Sequence, residues 1–120
     1  MRVYRKFQIE AAHKLPNVAE GHKCARLHGH SFVIGVHVEG TVGEDSGWVI
    51  DFADIKRAFE PLFATLDHNY LNDIDGLVNP TSENLAIWVW QRLHDKLAGL
   101  VEVTVNETCT SGCSYRGPGS

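Results

Sequence analysis

Two long stretches of alternating polarity constrain this chain more than any other feature, because a two-residue period places every second side chain on one face of a β-strand. In residues 2–13, Val3, Phe7, Ile9, Ala11 and His13 share one parity. From about Leu27 to Thr41, His28, His30, Phe32, Ile34, Val36 and Val38 share another, opposite a more polar set of Ser31, Val33, Gly35, His37 and Glu39. Between them, from Leu15 to Arg26, the period vanishes and Pro, Asn, Gly and charged residues take over. A loop of about a dozen residues is long for a mere connection and marks a functional candidate.

Downstream, Gly43–Gly47 predicts a turn and Trp48–Ile50 a short return strand. Asp51 is placed as an N-cap, and Phe52, Ile55, Phe59, Leu62, Phe63 and Leu66 follow at helical spacing. After a turn-rich segment from Asp67 to Pro80, the residues Pro80, Ser82 and Glu83 suit a second helix starting at Thr81 or Ser82. Its apolar stripe is Leu85, Trp88, Val89, Leu93 and Leu97, and Gly99 ends it. A last strand carries Val101, Val103, Val105 and Glu107 on one parity, with Ser114–Arg116 a candidate for a short final one. The order β-β-β-α-α-β predicts an α+β domain: an antiparallel four-stranded sheet with two helices packed on one face. The domain is expected to span residues 1–117, with 118–120 a flexible tail.

At 120 residues and 43% apolar content, the chain has one domain with a core that needs no disulfide staples. It has little depth for a private cavity, so its active site is expected to draw on a neighbouring subunit. Lys and Arg number 11 against 15 Asp and Glu, a net charge of −4, which argues against a nucleic-acid surface. Lys23 and Arg26 form a local basic cluster suited to a small phosphorylated substrate, with Arg116 a candidate third member. No apolar run approaches the ~20 residues of a membrane span. An odd number of cysteines with no signal peptide ahead of them predicts a reducing cytoplasm.

His28-Gly29-His30 is the strongest local signal for chemistry. Residues at i and i+2 on a strand share a face and can converge on one ion. If the first two strands pair across the long loop, His13 lands beside them. Three imidazoles with a fourth position open form a catalytic zinc arrangement, whereas surface or hydrogen-bonded histidines are the bland alternative. Cys24 is a small buried hydrophobe, a fourth ligand, or a thiolate base favoured by Lys23 and Arg26. Asp67-His68 is either a carboxylate-oriented imidazole that shuttles a proton or a turn cap beside a solvent-facing ring. Glu107 continues the parity of Val103 and Val105; it either emerges past the core or offers a carboxylate to two adjacent N–H donors. Cys109 and Cys113 are half of a metal clip without its other half, and are read as packing thiols. Phosphate-loop, dinucleotide and serine-nucleophile fingerprints are absent.

The segments Ala11-Ala12-His13, Gly21-His22-Lys23-Cys24, Leu27-His28-Gly29-His30, Leu66-Asp67-His68, Asn79-Pro80-Thr81-Ser82-Glu83 and Glu107-Thr108-Cys109-Thr110 resemble the 6-pyruvoyl-tetrahydropterin synthase family over nearly the whole chain. The resemblance implies the tunnelling fold, in which subunit sheets join edge to edge into rings of three and two rings stack as a homohexamer. It implies zinc on His13, His28 and His30, a catalytic Cys24, and Asp67 with His68 as the other catalytic pair. Glu107 then grips the pterin ring, with Thr81 and Ser82 near it and Lys23 and Arg26 left for the triphosphate. The implied substrate is 7,8-dihydroneopterin triphosphate. Within the family, the short loops resemble the bacterial branch of queuosine biosynthesis, which releases acetaldehyde and triphosphate to give 6-carboxytetrahydropterin; the pyruvoyl branch eliminates triphosphate without losing carbon. Two rival readings stand beside it: a non-enzymatic metal-binding module on the same histidines, and an interaction domain presenting Trp88 and Trp90.

Overall fold

In the computed structural model, which describes residues 1–107 and 110–120, the two alternating stretches are strands β1 (Arg2–His13) and β2 (His28–Glu39). They pair antiparallel in continuous register from Arg2 opposite Glu39 to His13 opposite His28. Strand β3 (Leu100–Asn106) pairs with the other edge of β2, and β4 (Gly112–Tyr115) with β3, giving the order β1-β2-β3-β4.

The expected four-stranded antiparallel sheet is present, but its fourth member differs. Trp48–Ile50 forms no strand. The reason is geometric: β2 has β1 on one edge and β3 on the other, so a return strand from the Gly43–Gly47 turn has no free edge to join. Trp48 instead turns its carbonyl back to the Gly43 N–H at 2.9 Å, while Val49 and Ile50 pack against the core as irregular chain. The free edge of β3 is taken by β4, slightly earlier than the Ser114–Arg116 expected, so the chain order is β-β-α-α-β-β.

Helix α1 (Phe52–Leu66) is capped by Asp51, whose carboxylate accepts from the Ala53 N–H at 2.9 Å. Its buried stripe is Ile55, Phe59, Leu62 and Leu66; Phe52 and Phe63, expected in that stripe, are 51% and 37% exposed. They lie at its margins: Phe52 opens the first turn, and Phe63 stands one residue round from Leu62. Helix α2 (Ser82–Leu93) is capped by the Thr81 hydroxyl and buries Leu85, Trp88, Val89 and Leu93. Both helices cover the face carrying Ile9, Phe32, Ile34, Val36, Val103 and Val105, all fully buried. Burial of these side chains stabilises the sandwich by roughly 1.5–3 kcal/mol each.

Trp90 packs edge-on against Tyr115 and closes over Gly117, so it is not a free partner surface. The last residues form a turn, with the Ser120 hydroxyl donating to the Gly117 carbonyl at 2.7 Å. No described helix is long and apolar enough to cross a membrane.

Candidate metal centre and active site

Strand pairing brings the three histidines together. His13 lies opposite His28 in register, Ala11 opposite His30, and all three imidazoles share the parity of the buried Ile9 and Phe32. Ring centroids lie 4.5 Å apart for His13 and His28, 4.6 Å for His28 and His30, and 5.1 Å for His13 and His30. The Glu107 carboxylate, one residue past β3, completes a set of four donor atoms that all lie within 4.8 Å of one another.

The tautomers favour a cation. His13 Nδ1 faces the Pro80 carbonyl at 2.8 Å, and His28 Nδ1 the Arg26 carbonyl at 2.6 Å. A carbonyl only accepts, so each Nδ1 carries the ring hydrogen and each Nε2 presents a lone pair. His13 is 1% exposed, and its Nε2 has no hydrogen-bond partner. Glu107 Oε1 is 3.2 Å from that nitrogen and 3.5 Å from His30 Nε2. The His13–Glu107 approach therefore sets a lone pair against a carboxylate oxygen, which is unfavourable unless a positive ion lies between them. Burial also depresses the basicity of His13, partly opposed by the bond to Pro80, and so keeps the ring in the neutral form a metal needs.

Cys24 sits half-buried on a short 3-10 turn, Lys23–Ala25, within the long loop. Its N–H donates to His22 Nδ1 at 3.0 Å and its carbonyl accepts from the Leu15 N–H at 2.8 Å, so the loop is pinned on both sides. Its sulfur is not in the converging donor set. Lys23 and Arg26 are exposed around it. Arg116 does not join them: its guanidinium is held by Glu102 at 3.1 Å, and Glu102 pairs with His37, nine residues along β2 from His28. Glu102 is a buried acid that also accepts from the Ser114 hydroxyl at 2.6 Å, and it takes Arg116 to balance its charge.

Asp67 and His68 form a pair where α1 ends. His68 Nδ1 lies 2.8 Å from Asp67 Oδ2, and Asp67 Oδ1 accepts from the Glu10 N–H at 2.9 Å. The Glu10 carbonyl in turn accepts from the His68 N–H. His68 adopts φ +57°, the left-handed conformation that non-glycine residues avoid at a cost of roughly 1–3 kcal/mol. The clamp to β1 holds it there. Its side chain is 77% exposed and borders an open groove of about 500 Å³ whose walls include Glu10, Ala12, Gly29 and Ser31 from the helix-free face of the sheet. Within one chain the dyad thus opens onto the face opposite the side on which the three imidazoles converge, although His30 also lines the groove. No hydrogen bond among the described residues joins it to Cys24.

The Glu10 N–H, and after it the His68 ring, hold the Asp67 carboxyl below the usual carboxylate range. A depressed acid contributes stability that is present above its unfolded pKa, near 3.9, and lost as pH falls through the folded value. Asp67→Asn is therefore expected to lower the urea midpoint relative to wild type at pH 7, with the gap closing towards pH 3. An unchanged gap at both pH values would contradict the ionised clamp.

Thr81 and Ser82, expected near the ring pocket, follow directly on Pro80, whose carbonyl meets His13 Nδ1. The Thr81 hydroxyl accepts from the Asn84 N–H at 3.1 Å as the α2 cap, whereas Ser82 Oγ and Asn79 Oδ1 are buried without partners. The Pro80 carbonyl was not legible as a functional group; a proline ahead of a helix signals only the helix start. Cys113 is half-buried, with burial pushing its thiol pKa up, consistent with a packing role. Cys109, its expected companion, lies outside the described residues, as does Thr108.

The family profile described as 6-pyruvoyl tetrahydropterin synthase matches residues 2–118. The 6-carboxy-5,6,7,8-tetrahydropterin synthase of Synechocystis sp. is 47% identical over 122 residues, spanning 97% of this chain and 93% of that protein. The dihydroneopterin monophosphate aldolase of Pyrococcus furiosus is 35% identical over 102 residues, spanning 85% and 82%. The solved structure of Caenorhabditis elegans 6-pyruvoyl tetrahydropterin synthase superposes with a TM-score of 0.88 at 29% identity, covering 98% of this chain and 95% of that one. Sequence, fold and the histidine centre agree: the chain belongs to the 6-pyruvoyl tetrahydropterin synthase family.

Proposed function

We propose that this protein is a zinc enzyme converting 7,8-dihydroneopterin triphosphate to 6-carboxy-5,6,7,8-tetrahydropterin, with release of acetaldehyde and triphosphate. The observation that carries the metal-centred reading is the convergence of His13, His28 and His30 around a buried, partnerless Nε2. The 47% identity to a relative bearing the 6-carboxy name supports the choice of branch. Imidazole donors suit zinc, and three of them leave a position for substrate.

Bound zinc would supply Lewis acidity to the hydroxyls of the substrate side chain, easing loss of neighbouring protons. The protein's own groups do the rest. Cys24 takes a proton from the side chain, and His68, oriented by Asp67, moves the proton on the opposite side. Lys23 and Arg26 hold the triphosphate. Glu107 is 30% exposed at the lip of the centre and offers its carboxylate to the ring N–H donors, with Ser82 and Thr81 beside it. Because the dyad opens away from the metal within one chain, a second copy that brings its dyad to the metal mouth completes the site. A homohexamer of two trimeric rings meets that need, and a reducing cytoplasm suits a Cys24 that acts as a thiolate.

Glu107→Gln is expected to keep full metal and to weaken binding of a non-reactive pterin strongly in calorimetry. The amide replaces one acceptor with a donor that opposes the ring N–H groups. Loss of metal in this variant would instead make Glu107 a fourth ligand. The reaction itself is tested by incubating the metal-loaded protein with dihydroneopterin triphosphate. Acetaldehyde appearing in proportion to a 6-carboxy product supports the proposal, triphosphate without acetaldehyde supports the pyruvoyl branch, and no turnover sinks both.

A further inference from the structure

The contact that orients His13 spans the chain: its Nδ1 meets the Pro80 carbonyl at 2.8 Å across 67 residues. His28, by contrast, uses a carbonyl only two residues away. Pro80 lies in irregular chain just ahead of α2, so other groups must aim its carbonyl. Two asparagine side chains are placed to do so, and the proposed chemistry leaves both unused.

On the Pro80 side, the Thr81 N–H returns to the Asn79 carbonyl at 2.9 Å, closing a three-residue turn centred on Pro80. Asn84 Nδ2 donates to the same carbonyl at 2.8 Å from the first turn of α2. That bond ties the turn to a helix anchored in the core through Leu85, Trp88 and Val89. On the His13 side, Asn72 grips the next residue of the chain. Its Oδ1 accepts from the Lys14 N–H at 2.9 Å, and its Nδ2 donates to the Lys14 carbonyl at 2.7 Å. The same Nδ2 reaches the Val78 carbonyl at 3.5 Å, two residues ahead of Pro80. A backbone N–H only donates and a carbonyl only accepts, so these partners fix which end of the Asn72 amide is which.

We propose that Asn72 and Asn84 are positioning residues for the metal centre: their amides hold the Pro80 carbonyl against His13 Nδ1 and keep His13 Nε2 aimed among the other donors. The proposal rests on the reading of His13, His28 and His30 as metal ligands. A partner behind a ligating imidazole fixes its tautomer and ring direction. Here that partner is a carbonyl in a turn, and the two amides stand one bond further back. Asn84 holds the turn, and Asn72 holds the end of β1 to the segment that leads into it.

The test exchanges one amide NH2 for an oxygen. Asn84→Asp places an acid in the first turn of α2, which the helix dipole favours, so the helix keeps its start. Its carboxylate opposes the Asn79 carbonyl instead of donating to it. Asn72→Asp keeps the acceptor for the Lys14 N–H and loses both donor bonds. In each variant, zinc affinity measured by competition with a chromophoric chelator is expected to fall about tenfold. That is the lower end of the range for groups directly behind a ligand. The visible spectrum of the cobalt-loaded protein is expected to shift with it. Asp51→Ala, which removes the α1 cap, is expected to lower the urea midpoint yet leave zinc affinity and the cobalt spectrum as in wild type. The two asparagines lie on different elements, so each variant carries the test should the other fail to fold. Wild-type affinity with an unshifted cobalt spectrum in either Asp variant, or an equal loss in Asp51→Ala, would overturn the proposal. A wild-type protein that binds no zinc would overturn the metal-centre reading itself, and the proposal with it.

Discussion

His28→Ala is expected to purify without its metal and to turn over dihydroneopterin triphosphate at the background rate. Each imidazole supplies one of only three neutral nitrogen donors, and disturbing a group merely behind a ligand already costs 10–100-fold in affinity. Loss of a ligand therefore exceeds that. His28 is the best of the three to remove. It is half-buried at the first position of β2, and its own Nδ1 contact is local, to Arg26 two residues away. His13, by contrast, is fully buried, packs edge-on against Phe32, and holds Pro80 across 67 residues of chain. Its removal would open a cavity and orphan a carbonyl as well as taking a ligand. A His28→Ala protein with wild-type circular dichroism and no bound metal separates metal loss from unfolding. Retention of a full metal complement would remove His28 from the centre.

Cys24→Ala is expected to do the opposite: keep the metal, bind the pterin, and lose turnover by ~10²–10⁴-fold, the usual weight of a positioned acid–base group. The sulfur stands outside the four converging donors, so truncating it leaves them in place. The 3-10 turn that presents it is held by backbone bonds to Leu15 and His22, which alanine preserves. Metal analysis, titration with a non-reactive pterin and steady-state rates together test this. If the metal went with the sulfur, Cys24 would be a ligand, and the proton would have to be taken by another group.

Much of this centre was written in local pattern. His13, His28 and His30 could be placed together because strand parity and antiparallel pairing are rules of short range, and the register bears them out. The Asp51 cap and the start of α2 at Thr81 or Ser82 were legible for the same reason. What depends on neighbours far along the chain was not. Trp48–Ile50 has strand composition, yet β2 had no edge left for it. Arg116 has the charge to join Lys23 and Arg26, but Glu102 holds it far along the sheet. The bond from His13 to the Pro80 carbonyl and the Glu10 clamp on Asp67-His68 join residues 67 and 57 positions apart. No period or motif encodes such distances. Glu107 is intermediate: its parity put a carboxylate at the strand end, but its approach to His13 and His30 required the folded sheet.

The account turns on a metal held by three imidazoles, and anomalous diffraction tests that most directly. Crystals of protein purified without a histidine tag, measured on both sides of the zinc absorption edge, are expected to show one strong peak per subunit. That peak is bounded by the Nε2 atoms of His13, His28 and His30 and vanishes below the edge. A full zinc complement in the triple His13→Ala, His28→Ala, His30→Ala variant, or a peak elsewhere on the chain, would contradict it.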